Sequence, residues 1–576
     1  MKKLTSLVLA TGMVLSLAAC GGSGSSTAAS TTNTGDSTAT TDTAAADESN
    51  LGYEYGEHFH SDEPVTYTMF FNDNPAYPMN DKWINEGVFK AIEDATNVHL
   101  ELTVVDNSNY TDKVSLAVSS GTAPYIIPKI YTETAYVTGG VVPVSDYVQY
   151  MPNYSNFVEE YNMQDDLATI TQADGKYYRL PGLKETALQD YTFLVRKDIF
   201  DAAGYDVAEL EKDWTWDKFA DVLIGVKKYM VEQGMCGEND YIWSDMWCGQ
   251  TSGYGQGGNL LKLLGASYDI NTGWAITTNY GLVYDPDSDS FVDGSVSDKY
   301  KQAYTVLQKL VQNKVLDPET WTQDDDTALN KFYRGETVIM STNRAQYAVQ
   351  DAKVKEQLGE GNYELYRILT PIGTSDYQAE NQRLECGIMI SSNALKELGE
   401  DEFIKMMRFV DWLWYSDEGL TLTKWGKEGE TYTVTDGAYS LTPGYYCKGL
   451  SIGQTSDDQI DLREELGYAC GNFMYGGNTE LLTSNFTEDL RDFYDRQGQY
   501  RKLRPLDPTV TFDEDQMEML NLWGTPMTDT VNAWTCKFAM NQADINNDWD
   551  TYVAEVEAQN MQNIVDMYND TYNASK

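Results

Sequence analysis

Carboxylates dominate the chemistry this sequence could perform. It carries 89 Asp and Glu against 41 Lys and Arg. Hydrolysis of a glycosidic bond needs two carboxyl groups set across the scissile bond, and no pair here is marked off by its spacing. There is no G-x-S-x-G, no P-loop and no H-E-x-x-H, so the common hydrolytic and nucleotide chemistries lack their motifs. His58 and His60 follow a linker-like segment and His99 opens a strand-like run, which argues against a His-based catalytic or metal centre. Asp285-Pro286-Asp287-Ser288-Asp289 and Asp324-Asp325-Asp326 gather the oxygen ligands that calcium prefers. The first run lacks the Gly and the distal Glu of an EF-hand loop, and both are expected to be exposed acidic loops.

Non-covalent chemistry is better represented. The chain has 41 Tyr and 13 Trp. Trp243, Trp247, Tyr254 and Trp274 fall among glycines at 249, 253, 255, 257 and 258. Aromatic faces in a cleft can stack on the C–H faces of a sugar while polar groups bind its hydroxyls. Trp243, Trp247 and Trp274 are therefore candidate contacts, with core packing as the competing assignment for Trp243 and Trp247. Trp412 and Trp414 lie on a helix and are assigned to packing. Arg344, just beyond the strand-like residues 338–341, and Glu185, just past Pro181-Gly182, are candidate partners for a hydroxyl or a carboxylate.

The first fifty residues carry different instructions. Lys2 and Lys3 precede an apolar run from Leu7 to Leu17, which closes on small residues at Ala18 and Ala19. This is the pattern of a secretory signal peptide, and the run is too short to span a bilayer comfortably. Residues 21–50 are Gly, Ser, Thr, Ala and Asp with no large apolar side chain. Such a segment cannot bury enough surface to offset its ordering entropy and is expected to be a leash. No later stretch reads as a transmembrane helix. The net charge of −48 opposes binding to nucleic-acid backbones. It also disfavours polyanionic substrates, unless a local basic pocket escapes the average. Apart from Cys20, the cysteines are Cys236, Cys248, Cys386, Cys447, Cys470 and Cys536. An even number outside the cell permits disulfides, and Cys236 and Cys248 are close enough in sequence to pair across a loop.

These groups need a frame. Residues 64–71 alternate as a strand, residues 83–96 have helical spacing, and residues 98–105 read as a second strand. A helix over 110–119 and a strand over 125–130 complete the rhythm of a parallel α/β sheet. Ligands in such sheets lie beyond the carboxyl ends of the strands. That points to Asn72, Asp73 and Asn74, and to the turn at Ser120, Gly121 and Thr122. Further on, 191–196 reads as a strand, 216–229 as a helix entered through Thr215 or Asp213, and 555–568 as a helix.

Several of these segments resemble a known family. Leu17-Ala18-Ala19-Cys20 resembles the lipobox of bacterial lipoproteins, which implies cleavage before Cys20 and a diacylglycerol on its thiol. The succession Val142-Pro143-Val144-Ser145-Asp146-Tyr147, Asp174-Gly175-Lys176-Tyr177-Tyr178-Arg179-Leu180-Pro181 and Val195-Arg196-Lys197-Asp198 resembles extracellular solute-binding proteins of ABC importers. The likeness is greatest to their large carbohydrate-binding, LplA-like group. Ser416-Asp417-Glu418-Gly419 with Trp425-Gly426-Lys427-Glu428-Gly429-Glu430-Thr431-Tyr432 is its most specific part. Ser120-Gly121-Thr122-Ala123-Pro124-Tyr125 departs from it, because the family often has acidic residues there.

The resemblance implies an α/β, two-lobed, periplasmic-binding-protein-like (flytrap) fold with hinge crossovers and C-terminal helices. The expected division is a signal peptide over 1–19 and a lipidated Cys20 with linker over 20–63. Lobe 1 would take 64–182 and 370–460, lobe 2 would take 183–369, and a helical region over 461–576 would bridge them. Crossovers are expected at Leu180-Pro181-Gly182 and Leu369-Thr370-Pro371. The implied function is capture of a carbohydrate, an oligosaccharide above all, for the transmembrane subunits of an ABC permease. The receptor would be a monomer without cofactor, held to the outer face of the membrane by lipid. An exported glycan-degrading enzyme and a peptide-binding transport receptor are the alternatives.

Overall fold

The structure is a computed structural model that describes residues 52–132, 139–249, 258–276, 279–452, 458–473 and 475–576. The leader, Cys20, Tyr254 and the glycines at 253, 255 and 257 lie outside the described residues. In chain order the strands that build the lobes are β1 (Val65–Asp73), β2 (Val98–Asp106), β3 (Ile126–Ile130), β4 (Leu180–Leu183) and β5 (Thr192–Arg196). They continue with the hairpin β6 (Leu282–Asp285) and β7 (Ser290–Asp293), then β8 (Ile339–Thr342), β9 (Leu365–Ile368) and β10 (Leu384–Ile390).

The first lobe is organised by a five-stranded sheet in the order β2-β1-β3-β10-β4. β1 runs parallel to β2 and β3, as the strand–helix rhythm predicts, and β10 enters antiparallel between β3 and β4. Its central strands β3 and β10 are largely buried on both faces, with helices on either side, while edge strand β2 exposes alternate residues. Met69, Phe71, Ile126, Ile388 and Ile390 join Trp412, Trp414 and Trp425 in one core, and Phe70, Val114, Ile127 and Met389 form a smaller one. The helix expected over 83–96 is two helices, α1 (Asp81–Asn85) and α2 (Val88–Thr96). The break falls at Gly87, where a Cβ would stand 2.0 Å from the Leu466 carbonyl oxygen. Residues 53–61, expected to belong to the leash, pack on this lobe instead. Phe59 is buried edge-on against Tyr53 and Phe409, and His58 reaches Glu418 at 2.9 Å.

The second lobe holds a three-stranded sheet, β8-β5-β9, in which both neighbours run antiparallel to β5. Its core gathers Phe193, Val195, Ile339 and Ile368 with Trp214, Trp216, Trp243 and Trp321. The helix Trp216–Glu232 begins at the Thr215 cap and buries Phe219, Leu223, Val226 and Met230 on one face.

Three crossings join the lobes. Residues 184–191 lead from β4 to β5, and residues 369–383 return from β9 to β10. The first crossing starts later than expected, because Leu180–Leu183 is itself a strand paired with β10. The third, which the sequence reading missed, lies near residues 485–488. Ser484 still accepts from Lys424 of lobe 1, whereas the helix Glu488–Tyr500 is held to Glu211 of lobe 2 through Arg496. The crossings are laced together. Gln189 accepts from the Ala379 N–H at 2.5 Å and donates to Thr370 Oγ1 at 3.2 Å, and Arg501 donates to the Thr370 carbonyl at 2.8 Å.

The C-terminal third divides accordingly. Leu462, Phe473 and Tyr475 complete the lobe 1 core, while Met527, Trp534, Tyr552, Ile564 and Tyr568 sit in the lobe 2 core. The helix expected over 555–568 is interrupted between Trp549–Glu557 and Met561–Ser575, where Asn560 takes a left-handed φ of 63°. Among the described residues no helix is long and apolar enough to cross a membrane.

Candidate ligand-binding cleft

Two adjoining cavities, of about 420 and 530 Å³, lie where the lobes face each other across the hinge, and both are lined by Glu380 and Gln382 of the second crossing. The edge of each sheet that opens there follows from strand direction. In lobe 2, β5 and β8 are antiparallel and Thr192 pairs with Thr342. The residues before β5 therefore meet those after β8. Asp190 and Tyr191 come from one side and Arg344 from the other, and the Arg344 N–H donates to Asp190 Oδ1 at 3.0 Å.

Tyr191 lines the first cavity and Trp274 the second, and buried Trp247 packs against both. Tyr191, Trp247 and Trp274 make a closed trio, with centroids 5.4 Å apart for Tyr191–Trp247, 5.3 Å for Tyr191–Trp274 and 5.7 Å for Trp247–Trp274. Backbone contacts set it in place. Trp247 has a left-handed φ of 62°, and its N–H donates to Asp325 Oδ1 at 2.6 Å. Gly258 allows the close approach, since a Cβ there would stand 1.7 Å from the Trp247 carbonyl oxygen and 3.1 Å from Trp274 Nε1. The loop is also held from below. Buried Asp245 accepts from the Ser341 N–H at 2.6 Å, Ser341 Oγ at 2.8 Å and the Met246 N–H at 3.0 Å. Burial pushes its carboxyl up to about 7, against the pull of these donors.

Polar groups surround the trio. Lys262 lies 5.1 Å from the Tyr191 centroid and 6.0 Å from that of Trp274, and pairs with Glu380 at 2.6 Å. Glu380 also accepts from the Asp190 N–H at 2.8 Å. Across the cavity, Lys184 faces Glu385 at 3.4 Å. Lys424 is buried in the lobe 1 wall, where it donates to the Leu481 carbonyl at 2.6 Å and to Ser484 Oγ at 3.0 Å. Burial and then the charge of Arg344 bring its amine down to about 7. The arrangement offers flat apolar faces beside fixed donors and acceptors, the features of a surface that binds a polar, partly apolar solute. Asp190, Glu380 and Glu385 are each engaged by a backbone N–H or a lysine.

The candidates from sequence separate clearly. Trp247 and Trp274 join the trio, and Arg344 lines the cavity. Trp243 does not reach it. It is fully buried beneath the sheet, 5.2 Å from Phe193 and bridged to Leu316 and Ile339, so it belongs to the core. Glu185 accepts from the Thr479 N–H at 2.5 Å at a helix start, beside Lys184 of the cavity wall. Asn72, Asp73 and Asn74 stand at the carboxyl end of β1 but close their own loop. The Asn72 backbone pairs with the Asn472 side chain, Asp73 accepts from the Met79 N–H, and Asn74 accepts from the Ala76 N–H. Ser120, Gly121 and Thr122 precede β3 and therefore lie at its amino end, the edge opposite the cleft. Ser120 and Thr122 bond to each other there, and Gly121 accepts from Asn393. Tyr191, Lys262, Glu380 and Lys424 were missed. The only signal for Tyr191 was its place at the start of an expected strand, an edge that the carboxyl-end rule passes over.

The remaining chemical candidates are structural. Asp285 and Asp289 form the β6–β7 turn, and Asp289 is clamped by Tyr284 at 2.7 Å, Tyr572 at 2.8 Å and Lys576 at 2.7 Å. Asp324 caps the helix Asp325–Tyr333. Among the described residues no group of three or more His, Cys, Asp or Glu could hold a metal ion. The pair Cys236–Cys248 does not form, since Cys236 is a free thiol while Cys248 is buried in the lobe 2 core.

Two lobes on laced crossings, with an aromatic and charged cleft between them, are the architecture of a solute-binding receptor. The chain belongs to the bacterial extracellular solute-binding protein family, whose model matches residues 87–406. Solved structures show the same fold. An extracellular solute-binding protein from Bifidobacterium longum subsp. infantis is 16% identical, covering 89% of this chain and 98% of that one, with a TM-score of 0.65. An HMO-binding, ABC-transporter-associated solute-binding protein from Bifidobacterium longum infantis is 15% identical over 89% and 99%, with a TM-score of 0.65. The S. pneumoniae ABC-transporter substrate-binding protein FusA, in complex with kestose, is 18% identical over 89% and 100%, with a TM-score of 0.59. No curated protein matches the sequence. Membership of this family places the chain outside the cytoplasm.

Proposed function

We propose that this protein is the glycan receptor of an ABC importer, and that an oligosaccharide binds between its lobes without being cleaved. The observation that carries this reading is the Tyr191–Trp247–Trp274 trio bordered by Lys262 and Glu380. Rings of this kind stack on sugar C–H faces, and the ion-paired groups beside them suit hydroxyls. The similar structures whose names include HMO and kestose point the same way. Lobe 1 takes residues 53–183 and 384–484 and lobe 2 takes 192–368 and 488–576, with the crossings between. Cys20 carries the lipid that holds a monomer to the outer face of the membrane, and the permease's transmembrane subunits receive the closed form. Ligand contacts made only in the closed state draw the lobes together.

Thermal-shift and calorimetric titration of the full chain against neutral and acidic oligosaccharides test this, with each glycan recovered and weighed by mass spectrometry. A raised melting temperature with an intact glycan is expected. Cleaved glycan would establish an enzyme, and a response to peptides alone would replace the cargo.

A further inference from the structure

We infer that the captured glycan carries an anionic group, the carboxylate of a uronic acid or a sulfate ester, and that Arg344 receives it in the interlobe cavity. This rests on the glycan-receptor reading and narrows it. The argument begins with charge accounting. Acids outnumber bases by more than two to one in this chain, so a cation beside a cavity should find a carboxylate without difficulty. Lys262 pairs with Glu380, and Lys184 with Glu385. Arg344 does not follow the pattern. Its backbone N–H is taken by Asp190 and its guanidinium lies 5.3 Å from the Phe486 ring centroid, but no carboxylate approaches the guanidinium within ion-pair distance among the described residues. Asp190 is engaged by that N–H and by the Tyr494 hydroxyl at 3.5 Å.

Lys424 reinforces the field from the opposite wall. It is buried, lines the same cavity and has no carboxylate partner among the described residues. Its ammonium is directed at the Leu481 and Leu482 carbonyls and Ser484 Oγ. It therefore contributes charge through the wall rather than a contact, while the planar fork of Arg344 is free to take two oxygens of one group. Arg344 also opens the helix Arg344–Leu358, whose amino end adds a favourable dipole for an anion. In a molecule of charge −48, an anionic ligand enters against a repulsive field. In this cavity Lys184, Arg344 and Lys424 stand against Asp190, Glu380 and Glu385, so its lining escapes the acidic excess of the rest of the chain.

Proton linkage gives a second signature. The Lys424 amine sits near 7 because burial and Arg344 disfavour its charge. A bound anion favours the charged form, so protons are taken up on binding and affinity falls as pH rises through about 7. The other charged or titratable groups facing this amine are Arg344, Lys184, Asp190, Glu380, Glu385 and Tyr494 of the cavity, and Cys447 behind it.

The test is calorimetry on the full chain with trigalacturonate, a sulfated disaccharide, and maltotriose as the neutral probe. An acidic probe is expected to bind at least about tenfold more tightly than maltotriose, with Arg344→Gln removing that advantage and Arg344→Lys restoring part of it. Preference for the carboxylate or for the sulfate probe identifies which anion is read. The preferred acidic probe should bind more tightly at pH 6 than at pH 8. Melting of the ligand-free variants establishes that they fold. Equal binding of maltotriose, or an acidic preference that survives Arg344→Gln, overturns the inference and leaves the glycan reading intact. Failure of every sugar, with peptides binding instead, overturns both.

Discussion

Three tryptophans within thirty-two residues illustrate how little a side chain's identity says about its role. Trp243, Trp247 and Trp274 share chemistry and neighbourhood in sequence, yet only Trp274 lines the cleft, with Trp247 buried against it. Trp243 occupies a strand-like bridge between Leu316 and Ile339, a long-range pairing that no local pattern announces. Replacing it with Ala should cost about 3–5 kcal/mol of stability, as for other large core aromatics, and denaturant titration measures this. Trp274→Ala should instead leave melting nearly unchanged. It should weaken glycan binding by about 2 kcal/mol, roughly thirtyfold, as for an interface anchor, which calorimetry reads directly. Arg344 was legible as a residue following a strand, whereas Lys424, on the helix Asp417–Trp425, carried no signal of its own in the sequence.

At the scale of elements, the parallel half of lobe 1 was legible because local spacing alone produces β1, α2, β2, α3 (Tyr110–Ser119) and β3 in turn. The rest depended on pairing between distant segments. β10 returns more than two hundred and fifty residues after β3 and pairs with it antiparallel, and both strands beside β5 in lobe 2 run antiparallel to it. Ser120, Gly121 and Thr122 lie away from the cleft for another reason: their turn precedes β3, whereas the rule for parallel sheets concerns a strand's carboxyl end. Helix lengths were overestimated where periodicity continued through a break, at Gly87 and at Asn560. A single glycine also governs the aromatic wall. Gly258→Ala would drive a Cβ into the Trp247 carbonyl and displace the Trp247 segment. Glycan affinity is expected to fall by about tenfold or more while most of the fold persists, because the wall is a local element and each 1.4 kcal/mol is tenfold. Circular dichroism beside calorimetry separates the two effects.

For the whole molecule, two buried carboxyls make stability depend on pH. Asp245 braces the lobe 2 loop. Asp411 receives the Asn153 and Tyr154 N–H groups at 3.0 and 2.8 Å at the start of the lobe 1 helix Pro152–Glu160. Burial raises both to about 7, well above their unfolded values. The folded state then holds protons that the unfolded state has released. Stability is greatest below the unfolded value near 4 and falls as pH rises towards 7, by up to about 1.4 kcal/mol per pH unit for each group. Urea titrations between pH 4.5 and 7.5 should show this decline, and Asp411→Asn should make it shallower. The same slope in the variant would exclude Asp411 as a source.

The three laced crossings bear on survival outside the cell. A receptor with one connecting strand could be cut in two by a single protease cleavage. Here the chain passes from lobe to lobe three times, so one nick at any crossing leaves two covalent links. Severed ends would also stay anchored by Gln189, Arg496 and Arg501. Such a molecule keeps its two lobes joined after a cleavage that would separate the halves of a singly linked receptor.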